Sequence, residues 1–129
     1  MSALAVNLAA IQKRIHESCD RAGRPPGSVE LMAVSKNHPA EAVSEAVDLG
    51  VLLFGENRIQ EARAKIPLSP AKARWHFIGH LQSNKAREAM ALFEMVQGVD
   101  SLNVASELQK QAEKQARRMA ILLEVNVAA

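Results

Sequence analysis

Cysteine occurs once, at position 19, so this chain by itself forms no internal disulfide and no cysteine-rich metal cluster. That usage suits a reducing compartment. An excess of one sign of charge is also absent: 16 Lys and Arg stand against 14 Asp and Glu, the formal net charge is +2, and the charges are interspersed along the chain without a basic block. A nucleic-acid partner is therefore not expected. No apolar run approaches membrane-spanning length, and Met1 to Ala10 lacks the basic start of a secretory signal. No GxxxxGK[ST] or GxGxxG follows any candidate strand, which removes the common phosphate and dinucleotide loops, and no local Ser-His-acid signature is present. The expectation is a soluble cytoplasmic protein that contacts neither membrane nor nucleic acid.

What is present is globular: 129 residues, 48% hydrophobic and 23% charged, enough for one domain with a real core. Leu4, Leu8, Ile11 and Ile15 recur at helical spacing and predict an opening amphipathic helix ending near Gly23, before the loop Arg24-Pro25-Pro26-Gly27. Apolar runs then follow at Val29 to Val34, Val51 to Phe54, Trp75 to Ile78, Met95 to Val99 and Ala120 to Val127, with a helix-compatible stretch after each of the first four. This βα repeat predicts an α/β fold with a parallel sheet and right-handed crossovers. Pro39 and Gly50 suit a helix start and exit, Asn57 with Gln60 resembles a capping box, and Ser83 and Ser101 are candidate caps. From Ser101 to Arg117, Leu102, Ala105, Leu108 and Ala112 form one apolar stripe. Trp75, Met90, Leu92 and Phe93 read as packing residues.

The strands end in polar residues: Lys36 and Asn37, Glu56 and Asn57, His80, Asp100 and Asn126. In barrels and in open α/β sheets alike, ligands bind at the carboxyl ends of strands, so these positions are candidates for one site. Lys36 ends Ala33-Val34-Ser35-Lys36; if the strand continues through it, Met32, Val34 and Lys36 share one face and the amine is carried inward. A partly desolvated amine there would be a nucleophile for an aldehyde. On the tetrapeptide alone, the plainer reading of a strand-end lysine with its head in water is favoured. Asn57 can cap a helix or bind a ligand, His80 can stack on a planar ring or hydrogen-bond backbone, and Asp100 is favoured as a cap. His76 and His80 on one strand lie roughly 13 Å apart, too far to share a metal ion.

The ordered blocks AVSKNHP, FGENRIQE, WHFIGHLQSNK and LLEVNV resemble the pyridoxal phosphate homeostasis family, the YggS-type or proline synthase co-transcribed proteins, over essentially the whole chain. The resemblance implies a (β/α)8 TIM-type barrel like the N-terminal domain of alanine racemase. It also implies pyridoxal 5′-phosphate as cofactor without demonstrated turnover, and a role in vitamin B6 and amino-acid homeostasis. By the same resemblance Lys36 carries the internal aldimine, with Asn57 and His80 near the cofactor ring. Arg58 stands where the family usually has tyrosine, a departure at the rim. Eight strands need roughly 200 to 250 residues. Five are read here, and the serine- and glycine-rich block and later arginine strand that hold the cofactor phosphate in the family are not in this sequence. Residues 1–129 thus read as the incomplete N-terminal part of one cofactor-binding barrel domain, with weakened cofactor binding and with self-association or a complementary C-terminal fragment expected at the open edges. The alternatives are an open five-stranded doubly wound sheet, a racemase-like enzyme using the same lysine, and a cofactor-free oligomeric remnant.

Overall fold

A computed structural model describes residues 1–128. The opening helix α1 (Ala3–Ala22) starts where the Ser2 hydroxyl accepts from the Ala5 N–H and stops at Gly23, whose φ of 67° is the left-handed conformation glycine adopts freely. Four βα units and a last strand follow: β1 (Met32–Val34), α2 (Ala40–Asp48), β2 (Leu53–Glu56), α3 (Ile59–Lys65), β3 (Arg74–Phe77), α4 (Ala86–Leu92), β4 (Met95–Val99), α5 (Leu102–Lys114) and β5 (Ala120–Leu123). Every neighbouring pair is parallel, and the order in the sheet is the order in the chain, β1-β2-β3-β4-β5. A doubly wound sheet reverses its order at a switch point. None occurs here, so the sheet winds one way, as a barrel wall does.

Alternation along the strands separates two faces. Phe54, Trp75, Phe77 and Val96 belong to the buried core, together with Val43 and Val47 of α2, Ala62 of α3, Met90 of α4, and Val104 and Leu108 of α5. Phe54 packs on Trp75 with ring centroids 5.3 Å apart, and Phe77 on Phe93 at 5.2 Å, so the aromatic residues serve packing as expected. On the other face a side chain at Gly55 would meet Met32 and Ile78, and Val34 lies there in register with Gly55, half exposed. β1 and β5 are edge strands, and all four residues of β5 are exposed.

Several local expectations are corrected. β1 begins at Met32 rather than Val29, because Pro26–Ser28 forms a 3-10 turn. It also ends at Val34, so Lys36 is not a strand residue. Pro39 does stand at the start of α2, as its N-cap. Asn57 and Gln60 form no capping box, since Arg58 is the N-cap of α3 and no side chain caps it. Ser83 opens a 3-10 turn and accepts a hydrogen bond from the Asn103 amide instead of capping α4. Ser101 does cap α5, accepting from the Val104 N–H at 3.2 Å. Leu102, placed on the apolar stripe, is 87% exposed in the first turn of α5, and Val104 takes its place in the core. Truncating Phe77 to alanine is therefore expected to cost about 3 to 5 kcal/mol in urea unfolding. Leu102→Ala is expected to stay within about 0.5 kcal/mol of the parent.

Candidate functional site at the strand carboxyl ends

Lys36 sits two residues beyond the last residue of β1, in a four-residue turn, Ser35 to His38, closed by the His38 N–H donating to the Ser35 carbonyl at 3.0 Å. Asn37 holds the left-handed position of that turn, φ 65°, a conformation asparagine tolerates better than most residues. The Lys36 side chain is exposed and makes no hydrogen bond or ion pair with the described residues. The expectation of a partly desolvated amine on a strand face is thus replaced by an accessible amine on a turn.

That turn is bolted down from below. The Lys65 side chain, at the end of α3 and only 5% exposed, donates to the Ser35 carbonyl at 2.7 Å and to the Glu56 and Glu61 carboxylates at 2.8 Å each. An ammonium has three protons, and here all three are used. Glu61 in turn accepts from the Asn37 N–H at 2.6 Å, and the Ser35 hydroxyl donates to Glu56. Glu56 is fully buried, and its second carboxylate oxygen has no hydrogen-bond partner among the described residues. Burial pulls the Lys65 ammonium toward its neutral form, but hydrogen bonds and coulombic attraction from Glu56 and Glu61 outweigh it and hold its pKa above the ordinary 10.5. The Lys65 hydrogen bond holds Glu61 below its ordinary 4.5, aided by the Asn37 N–H and opposed by partial burial.

Glycines bring the next strand ends close. A Cβ at Gly79 would lie 2.9 Å from the Asn57 Cα and Cβ and closer still to the Asn57 carbonyl, and a Cβ at Gly98 would lie 2.8 Å from the Gly79 carbonyl. Only glycine permits this approach. Asn57, half-buried after β2, thereby touches the segment that leads into His80 after β3. The ends of β1 and β2 are joined by the Ser35 N–H bonding the Gly55 carbonyl at 3.1 Å. Lys36, Asn57 and His80 therefore follow three adjacent parallel strands at the same end of the sheet. His80 is exposed, with its Nδ1 3.4 Å from the Asp100 carboxylate. Asp100 is thus a partner of His80 and does not cap a helix, since Ser101 holds the cap position of α5. His76 points elsewhere: it is buried in β3 between Glu94 (2.8 Å) and Gln97 (3.1 Å), and Glu94 also pairs with Arg74.

Comparison with known proteins decides the family. The alanine racemase N-terminal domain family matches residues 6–128. The chain belongs to this family. Within it the chain groups with the pyridoxal phosphate homeostasis proteins: it is 44% identical to the one from Pseudomonas aeruginosa over 128 residues, covering 98% of this chain and 56% of the relative. It is 38% identical to that of Escherichia coli K12 over 131 residues, with the same coverage. Among solved structures, PipY of Synechococcus elongatus without PLP superposes with a TM-score of 0.81 at 41% identity, covering 97% of this chain and 54% of that one. PipY with PLP bound gives 0.74 at 44% identity, over 88% and 55%. The five-stranded sheet is accordingly of the TIM-barrel type found in this family, and the chain spans about half the length of the relatives it matches.

Sequence reasoning named Lys36, Asn57 and His80 but not Ser35, Glu61 or Lys65. Glu61 and Lys65 stand four apart on a helix, a spacing that signals an ion pair. Nothing in the spacing signals that the pair turns inward.

Two outcomes follow from this geometry. Gly79→Ala is expected to destabilise the fold by about 1 to 3 kcal/mol, because the added methyl overlaps the Asn57 backbone. For Glu61, the stabilisation from its lowered pKa is complete above 4.5 and is lost as pH falls toward the folded-state value. The stability difference between the parent and Glu61→Ala, measured by urea unfolding, should therefore be constant near neutrality and shrink as pH falls below 4.5.

Proposed function

We propose that the chain binds pyridoxal 5′-phosphate through Lys36, as a non-enzymatic cytoplasmic component of vitamin B6 and amino-acid homeostasis, and that residues 1–129 are the N-terminal part of one cofactor-binding barrel domain. The observation that carries this reading is an accessible amine without a protein partner, held on a pinned turn at the ligand end of a one-way parallel sheet. The names of the relatives and the PLP-bound PipY support it.

The residues fit the cofactor's aldehyde end. An exposed lysine can meet the aldehyde carbon without first breaking an ion pair, and the Asn57 amide and His80 imidazole offer hydrogen bonds or a stacking surface to a planar ring. When bound, the cofactor supplies an electrophilic carbon and an electron-withdrawing ring.

Titration with pyridoxal 5′-phosphate should give a new visible absorption band that borohydride converts to a stable adduct on the Lys36 peptide. Lys36→Ala should lose both, and neither protein should racemise alanine. A band unaffected by Lys36→Ala, or measurable racemisation by the parent, would contradict the reading.

A second reading rests on the sheet edges. β5 is exposed along its length, and Ile121, Leu123 and Val34 offer apolar surface beside unpaired backbone. These edges are proposed to pair with a C-terminal polypeptide of the same family, or with a second copy in its absence. Light scattering should detect the assembly, and a stable monomer that binds no apolar dye would contradict it.

A further inference from the structure

We propose that Lys65 is a positioning residue for the Lys36 amine: with Glu61 as its relay, it fixes the two peptide groups that flank Lys36 and so fixes where the amine can reach. The inference rests on the reading of Lys36 as the cofactor anchor. Its geometry is independent of that reading.

Three features distinguish this cluster from an ordinary buried ion pair. First, the bonds converge on residues 35 and 37. Lys65 holds the Ser35 carbonyl, Glu61 holds the Asn37 N–H, and Glu56 accepts from the Ser35 hydroxyl, while the side chain of residue 36 itself is left free. Second, the tie comes from a different element. Lys65 is thirty residues along from Ser35, so α3 sets the turn after β1. Third, an apolar set of similar volume would stabilise the fold at least as well, because desolvating a lysine and a carboxylate is expensive. What the charged set adds is directional constraint. An amine on a preset turn loses less freedom when it meets an aldehyde than one on a mobile loop.

The reaction used to read this out is balanced and simple. The Lys36 nitrogen forms a C=N bond to the aldehyde carbon of pyridoxal 5′-phosphate with loss of one water, and borohydride then delivers hydride to that carbon while solvent supplies the proton on nitrogen, leaving a secondary amine. Trapping rates at the Lys36 peptide are compared, by mass spectrometry, in the parent, Glu61→Ala, Lys65→Met and Val104→Ala. The last removes buried volume on α5 and leaves the turn untouched, so it serves as the destabilised control. Amide hydrogen exchange at Asn37 is followed in the same proteins.

Glu61→Ala is expected to slow trapping at Lys36 by about 10- to 100-fold. It should speed exchange at Asn37 by about tenfold or more. Lys65→Met should do the same where it folds, and Val104→Ala should change neither quantity. Trapping at the parental rate in Glu61→Ala, or equal slowing in Val104→Ala, would overturn the proposal. If the parent itself forms no adduct at Lys36, the cofactor reading fails. The Asn37 amide then judges the tie alone, with unchanged exchange in Glu61→Ala overturning it and faster exchange upholding it.

Discussion

A charged lysine inside the helix-to-sheet layer is the constraint around which this end of the molecule is arranged. Lys65 is nearly inaccessible, and it remains an ammonium only because three oxygen acceptors, two of them carboxylates, surround it. Removing Lys65 alone would strand the Glu56 carboxylate in an apolar layer, a change that typically costs about 3 to 5 kcal/mol. The same three bonds draw β1, β2 and α3 together at the carboxyl end of the sheet. Stability and the shape of the ligand-side rim are thus set by one group.

The rest of the rim is built by close approach. Gly79 and Gly98 let the segments after β2 and β3 and the end of β4 pack backbone against backbone, beginning from Asn57. The polar side chains that follow three neighbouring strands are thereby kept at one level. At the opposite ends of the strands, Arg74, Glu94 and His76 form a separate polar network, fastened to Glu30 by Arg74. Arg117, just past α5, donates to the carbonyls of Met90 and Phe93 and so ties the end of α4 to the return toward β5. The sheet is held at both ends by charge and in its middle by apolar packing.

Much of this was legible in the sequence, and the gaps have physical reasons. Apolar runs with polar stretches between them located all five strands, because strands of a parallel sheet are apolar along much of their length, the exposed edge strand β5 included. Met95 to Val99 agreed residue for residue, whereas the Val29 to Val34 run was read too long at its start, since a proline-led 3-10 turn carries apolar residues as readily as a strand does. Among the helix caps, Ser101 caps α5 as its sequence position predicts, while Asn57 does not cap α3, because that helix starts one residue later with Arg58 at its N-cap. Lys36 was found as a residue but not as a conformation. The chain turns at Asn37, and the bonds that hold the turn come from Glu61 and Lys65, which are remote in sequence. Periodicity sees one element at a time; a tie between elements leaves no period.

The account depends on Lys65 being an immobilised, charged group bonded to Ser35, Glu56 and Glu61. Nitrogen-detected NMR of the lysine ammonium groups tests this directly. One lysine signal, absent in Lys65→Arg, should show slow proton exchange near neutral pH and should stay protonated above the ordinary lysine pKa of 10.5. A spectrum in which every ammonium exchanges at the solvent-exposed rate, or in which Lys65 titrates below 10.5, would contradict it.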